Sequence, residues 1–161
     1  MKDKVVRSAR QLGLEVEVRE LETSTRTVAD AARALGCGEA EIAKSIVFVC
    51  DGEPIVCVAS GEHRIDPDKL AVVHDCAEVR QAGADEVRAA TGFPVGAVPP
   101  IGHDLPVIVD EALLRHRRIW AAAGTGDSLF CLDPRELVDC LQADVAELAE
   151  SGPVAQPRPT G

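Results

Sequence analysis

Two features of this sequence have residue types and spacing that could do chemistry. The first is Lys44 within EIAKSIVF, residues 41–48, where a cation stands at the mouth of an otherwise apolar run. An ammonium there offers three donors and a positive charge to an anion. The second is TGFPVGAVPPIGH, Thr91 to His103, which packs three glycines and three prolines into thirteen residues. Glycine permits backbone angles and close approaches that a Cβ forbids, while proline fixes φ and removes a donor. Together they make a loop of one shape, whose exposed N–H groups can hold a ligand by the backbone. Each feature also has a plain structural account: a lysine before a strand is ordinarily solvated, and a rigid loop can be a connector.

The remaining inventory narrows the chemistry. There is no GxSxG, no Walker loop and no GxGxxG after a strand. The six cysteines form no CxxC pair and the four histidines fall in no ligand spacing, so no metal site is expected. Cys50, Cys57 and Cys131 lie inside apolar runs, where a reduced cysteine is a small core residue. Phe48, Phe93, Trp120 and Phe130 are the aromatic side chains, so the core must be aliphatic and any base-stacking platform is thin. A formal charge of −10 argues against coating duplex DNA or an anionic membrane, though it leaves room for a local basic pocket. A charged N-terminus without a signal peptide, no apolar run of spanning length and reduced cysteines point to the cytoplasm.

These residues must be positioned by surrounding elements. Val5, Val6, Ala9 and Leu12 recur at helical spacing up to Gly13, and LEVEVREL alternates as a half-buried strand does. TVADAARALG predicts a helix capped by Thr27 and closed by Gly36, followed by a helical turn over residues 39–43. SIVFVCDGEPIVCVASG predicts a hairpin across Asp51-Gly52, which puts Lys44 where a helix hands over to a central strand. Further helices are expected at DPDKLA, at ADEVRAATG and from Asp133 to about Glu150, with strands at LPVIV, RIWAAAG and SLFCL around a short helix from Asp110 to His116. Strands and helices mix without strict βαβ alternation. The class is therefore α+β with a mixed sheet, one domain over residues 1–150 and a disordered tail over 151–161.

Four anchors follow one another along the chain: TVADAARALGCGEAEIAKSIVFV, DGEPIVCVASGEHRIDPDKLA, TGFPVGAVPPIGH, and LPVIVDEALL followed by WAAAG. From about Thr27 to Leu141 the chain resembles the YbaK-type aminoacyl-tRNA editing domains, freestanding relatives of the editing insertion in bacterial prolyl-tRNA synthetase. The resemblance carries the family lysine onto Lys44 and the family GxxxP loop onto Gly96 to Pro100. It implies a largely antiparallel, barrel-like mixed sheet surrounded by helices. It also implies hydrolysis of the ester joining a wrong amino acid to the terminal ribose of a tRNA, with no cofactor and no metal. The implied partners are the acceptor end of a mischarged tRNA and an aminoacyl-tRNA synthetase.

On that reading the amides of Gly96 and Ala97 steady the developing oxyanion, and Lys44 supplies charge to the terminal phosphate or the ester oxygen. Pro99 and Pro100 hold the loop's shape, Ser45 and Val98 line the substrate pocket, and His103 stands just past the loop within reach of it. Water activation falls to the substrate's own hydroxyl or amine. Arg64 and Lys69, with the Arg115 to Arg118 cluster as an extension, are the candidate RNA contacts near Lys44. Two departures leave the amino acid open. Ser45 stands where alanine-specific relatives carry asparagine and cysteine-specific ones threonine, and AAGTGDSLF, residues 122–130, departs from the AGxRGL-like stretch. No catalytic role is therefore assigned to Asp127, and Asp110 is read as a helix N-cap. The competing class is a non-catalytic module that binds an aminoacylated or nucleotide end. Retention of both Lys44 and the loop favours the esterase.

Overall fold

The computed structural model describes residues 2–21 and 27–150, so the expected tail at 151–161 lies outside the described residues. Local signals set much of the chain. The helix α1 (Lys2–Gln11) ends before Gly13, whose φ of +86° only glycine adopts cheaply. The helix α2 (Val28–Leu35) starts where Thr27 accepts a hydrogen bond from the Asp30 amide at 3.0 Å, and it stops at Gly36 in the left-handed region. Asp51 and Gly52 take φ of 49° and 86°, the positive pair that a two-residue hairpin turn requires, and so join β2 (Ile42–Cys50) to β3 (Glu53–Ser60). The Asp51 carboxylate also accepts from the amides of Ala77 and Glu78, clamping the turn to the segment that leads into β4 (Val79–Gln81).

The hairpin is the middle of a mixed sheet. Chain order continues through α3 (Pro67–Val73), α4 (Ala84–Thr91), β5 (Val107–Asp110), β6 (Ile119–Ala122), β7 (Ser128–Leu132), α5 (Pro134–Leu141) and β8 (Asp144–Ala146), with β1 (Val18–Glu20) preceding α2. Across the sheet the order is β1-β7-β6-β2-β3-β5-β8, and β4 pairs off this path with β2. The pairings β2·β6, β3·β5 and β5·β8 are parallel and the rest antiparallel. The fold is thus α+β with a mixed sheet, an open path among the described residues rather than a closed barrel.

Alternate residues of β2 feed two cores, as the strand period demands. Ala43, Val47 and Val49 join Val58, Val109, Ala121 and Phe130 beneath α1, α4 and α5, while Phe48 and Cys50 join Ile55, Cys57, Ile108 and Leu70 beneath α3. Three expectations change. LEVEVREL forms a strand only over Val18–Glu20, because β7 offers partners only to those residues. The last helix stops at Leu141, where Gln142 turns to φ of 51°, and β8 follows. A parallel edge on β5 captures residues 144–146 and outweighs their helix-like period. Asp110 stands at the start of the 3₁₀ turn Glu111–Arg115 but its side chain makes no cap bond; its Oδ1 accepts from the Leu148 amide at 2.8 Å and its buried Oδ2 has no partner among the described residues.

Candidate functional site

The sheet is split beside β2. One edge of this strand pairs with β3 along its whole length, whereas the other meets β6 only at Ile42 and Ala43 and β4 only from Phe48 to Cys50. Residues between those two registers have no strand neighbour on that side among the described residues. The Ile42 carbonyl accepts from Gly61 on the β3 side, and the Val47 carbonyl from Ala82 on the β4 side. Backbone directions alternate along a strand, so the N–H and C=O of Ser45 point into the split. A cavity of about 270 Å³ fills it, walled by Lys44, Ser45 and Val47 of β2, by Gln81 and Ala82, by Gly96 and Val98, and by the start of α2 at Thr27 and Val28.

Lys44 is half-buried and has neither an ion pair nor a hydrogen bond among the described residues. Burial lowers its pKa from the ordinary lysine value, and the nearby Arg64 guanidinium lowers it further. A structural lysine would normally extend into water or meet a carboxylate. This one is held uncompensated at a cavity, an arrangement that favours an incoming anion or a polarised oxygen. Next to it, Ser45 Oγ is buried and lacks a partner among the described residues, a cost that a hydrogen-bonding ligand would relieve.

The glycine-proline loop supplies the facing wall. Pro94 to Ala97 form a turn closed by the Ala97 amide donating to the Pro94 carbonyl at 3.0 Å, with Gly96 at φ of 85° as a type II turn requires at its third position. The Ala97 amide, the expected second oxyanion donor, is engaged within this turn, and its buried side chain lies outside the cavity lining. The amide of Gly96 has no acceptor among the described residues, and Gly96 is exposed at the cavity rim. Val98 lines the cavity, while Pro99 and Pro100 are buried behind it and touch no part of it. His103 also lies outside the lining. Its Nδ1 accepts from the Leu105 amide at 3.2 Å, and its buried Nε2 has no partner at full hydrogen-bond distance among the described residues. Burial pushes the His103 pKa down, against the opposing pull of Asp104 and the Pro99 carbonyl, with Lys4 adding a small push in the same direction as burial.

The structure thus brings Lys44, Ser45, Gly96 and Val98 together and leaves Ala97, Pro99, Pro100 and His103 outside. Of the candidate RNA contacts, Arg64 is exposed near Lys44. Lys69 is spent on Glu147 at 3.0 Å and the Ala149 carbonyl at 2.7 Å. Sequence reasoning missed the opposite wall, Thr125, Gly126 and Ser128 in the loop between β6 and β7. There Thr125 Oγ1 hydrogen-bonds the Asp127 carboxylate at 2.8 Å and Ser128 Oγ. The TGDS run was the available signal, since clustered small polar residues between two strands mark a built turn. Burial raises the thiol pKa of Cys37 and Cys140, pushes that of Cys50 up to about 12 and raises that of Cys57, so none of these is a ready nucleophile. Among the described residues no cluster of three metal-ligating side chains occurs, and no helix is long and apolar enough to cross a membrane.

Comparison with known proteins places this geometry among relatives. The family model described as an aminoacyl-tRNA editing domain matches residues 22–140. The Bacillus subtilis (strain 168) protein YwhH, itself uncharacterised, is 35% identical over 130 residues, which is 79% of this chain and 82% of that protein. A proline–tRNA ligase of Geobacter metallireducens is 26% identical over 140 residues, 85% of this chain but 25% of the ligase, so the chain spans a quarter of that relative. A solved structure described as a candidate trans-editing enzyme for prolyl tRNA synthetase superposes with a TM-score of 0.88 at 39% identity, covering 93% of this chain and 97% of that one.

Proposed function

The chain belongs to the aminoacyl-tRNA editing domain family, and from that premise we propose that it is a trans-acting deacylase hydrolysing the ester of a small, mischarged amino acid on tRNA. The observation that carries the reading is the uncompensated Lys44 ammonium beside the partnerless Ser45 hydroxyl, in a cavity of about 270 Å³. An aminoacyl ester is already activated. A site that positions it and steadies the oxyanion can therefore hydrolyse it with water and without a protein nucleophile.

In this mechanism the aminoacyl group enters the split beside β2, where the Ser45 backbone and hydroxyl orient it. Water adds to the ester carbonyl while the Gly96 amide donates to the developing oxyanion. The carbonyl carbon then releases the ribose oxygen, which leaves as a hydroxyl with the proton shed by the water. Lys44, with Arg64 outside, holds the terminal phosphate or the ester oxygen. The small volume and the small residues Ser45, Ala82 and Gly96 act as a sieve that admits small amino acids and excludes large ones.

Lys44→Ala tests this assignment. A charge-assisted hydrogen bond made in the transition state is worth ~2–4 kcal/mol, so kcat/KM should fall roughly thirty- to a thousand-fold with the thermal melt preserved. Unchanged hydrolysis of alanyl-, cysteinyl-, seryl- and threonyl-tRNA in the variant would remove Lys44 from the mechanism. Binding of such tRNAs by the wild type without hydrolysis would leave a non-catalytic recognition module.

A further inference from the structure

The face of the sheet that carries the cavity continues beyond it. Ala122 and Leu129 line the cavity; two residues along the same strands, on the same face, stand Trp120 and Cys131. At ~3.3–3.4 Å per strand residue, Trp120 lies about 7 Å past the cavity wall. It is half-buried against Ile42 and α2, and the exposed Arg19 guanidinium sits 5.9 Å from its ring centroid. Exposed Arg118, two residues before Trp120, directs a nitrogen to Cys131 Sγ at 3.9 Å. Together they wall a groove of about 800 Å³ between β6, β7, the segment leading into β1 and helix α1, which adds Arg10. Neither Arg19 nor Arg118 has a carboxylate partner among the described residues, whereas Arg33, Lys69, Arg80 and Arg135 each do. Glu15 and Glu17 close the far side of the groove, setting negative charge where a polyanion would have to turn away.

Resting on the deacylase reading, we propose that this groove is the track for the single-stranded 3′ end of the aminoacylated RNA. The nucleotide preceding the esterified one stacks on the Trp120–Arg19 pair, and Arg19 and Arg118 hold its phosphates. The chemistry fits a single strand. An aromatic ring carrying a planar guanidinium offers a stacking surface to any base, and unpaired arginines beside it neutralise the backbone. The placement fits as well, since Trp120 stands two strand residues, about 7 Å, from the cavity wall at Ala122.

Trp120 is the single tryptophan of the chain, so its emission reports on the groove directly. The test titrates the protein with uncharged tRNA bearing an intact 3′ end and with the same tRNA trimmed to its last base pair. Intact tRNA should quench Trp120 and trimmed tRNA should not. Arg19→Ala combined with Arg118→Ala should flatten the salt dependence, by ~0.7 in log–log slope for each phosphate no longer neutralised. In kinetics, Trp120→Ala should raise KM for aminoacyl-tRNA roughly five- to a hundredfold, and Trp120→Phe should restore much of it. Turnover of an aminoacylated adenosine lacking the preceding nucleotides should not change in any of these variants. An equal effect on aminoacyl-adenosine, or no quenching together with unchanged KM for tRNA, would overturn the track. Failure of the wild type to hydrolyse either substrate would sink the deacylase reading alone, because the quenching still decides the groove.

Discussion

Gly61→Ala is a one-carbon change whose effect follows from the packing of α2 against the end of β3. A Cβ built on Gly61 would lie 2.4 Å from Val28 Cγ1, 2.7 Å from the Glu39 carbonyl oxygen and 3.3 Å from Ile42 Cβ. Gly61 cannot retreat, because its amide donates to the Ile42 carbonyl at 2.7 Å and fixes the end of the hairpin. The start of α2 and the turn at Glu39 must move instead, the former by about an ångström to reach an ordinary separation of 3.4 Å. Overpacking of this kind costs ~1–3 kcal/mol, or about 2–12 °C in Tm for a chain of this size. Val28 and Thr27 are also cavity wall, so the same shift skews the site, and a 1 Å misplacement is worth ~100-fold in kcat/KM. The assay pairs thermal melts with deacylation kinetics. Gly38→Ala is the control, since its Cβ would meet only Glu41 Oε1 at 3.7 Å. A Gly61→Ala protein that melts and turns over like wild type would refute the close approach of α2 and β3 as a determinant of the cavity.

Other perturbations read other parts of the site. Ser45→Ala removes a buried hydroxyl with no partner; it should raise stability by about 0.5–2 kcal/mol in denaturant melts while lowering kcat/KM, the signature of a group kept for its ligand. His103 has a pKa lowered from 6.5 by burial, so the unfolded chain takes up a proton before the native one does. Stability should therefore be complete above pH 6.5 and fall as pH drops through that value toward the lower native pKa, by at most about 1.4 kcal/mol per pH unit from this group. Melts of His103→Gln against pH should lose that component, and an unchanged acid slope would exclude it.

What the sequence made legible was what local rules decide. Thr27 and Gly36 bracket α2 because a cap oxygen and a left-handed glycine act within four residues, and Asp51-Gly52 announced its hairpin for the same reason. Lys44 and Gly96 stood out as a charge in an apolar run and a glycine among prolines, and the fold sets both on one cavity. The rest depended on distant partners. The three-residue strands β4 and β8 exist because β2 and β5 present edges to them, which no local period encodes. Lys69 looked available until Glu147, 78 residues on, claimed it. Ala97 looked like a donor until the type II turn used its amide. The polar wall at Thr125 and Ser128 faces the cavity only because β6 and β7 lie beside the split in the sheet.

If the split beside β2 is a small esterase pocket for aminoacyl-tRNA, the wild-type protein must discriminate esters by the size of the amino acid. The decisive experiment presents it with tRNAs carrying alanine, cysteine, serine or threonine and, in parallel, leucine or phenylalanine, and follows release of the amino acid. At least one small aminoacyl ester should be hydrolysed well above the spontaneous rate, with the large ones spared because about 270 Å³ shared with the terminal ribose leaves no room for them. Release of none of the small amino acids, or equal release of large and small, would contradict the assignment.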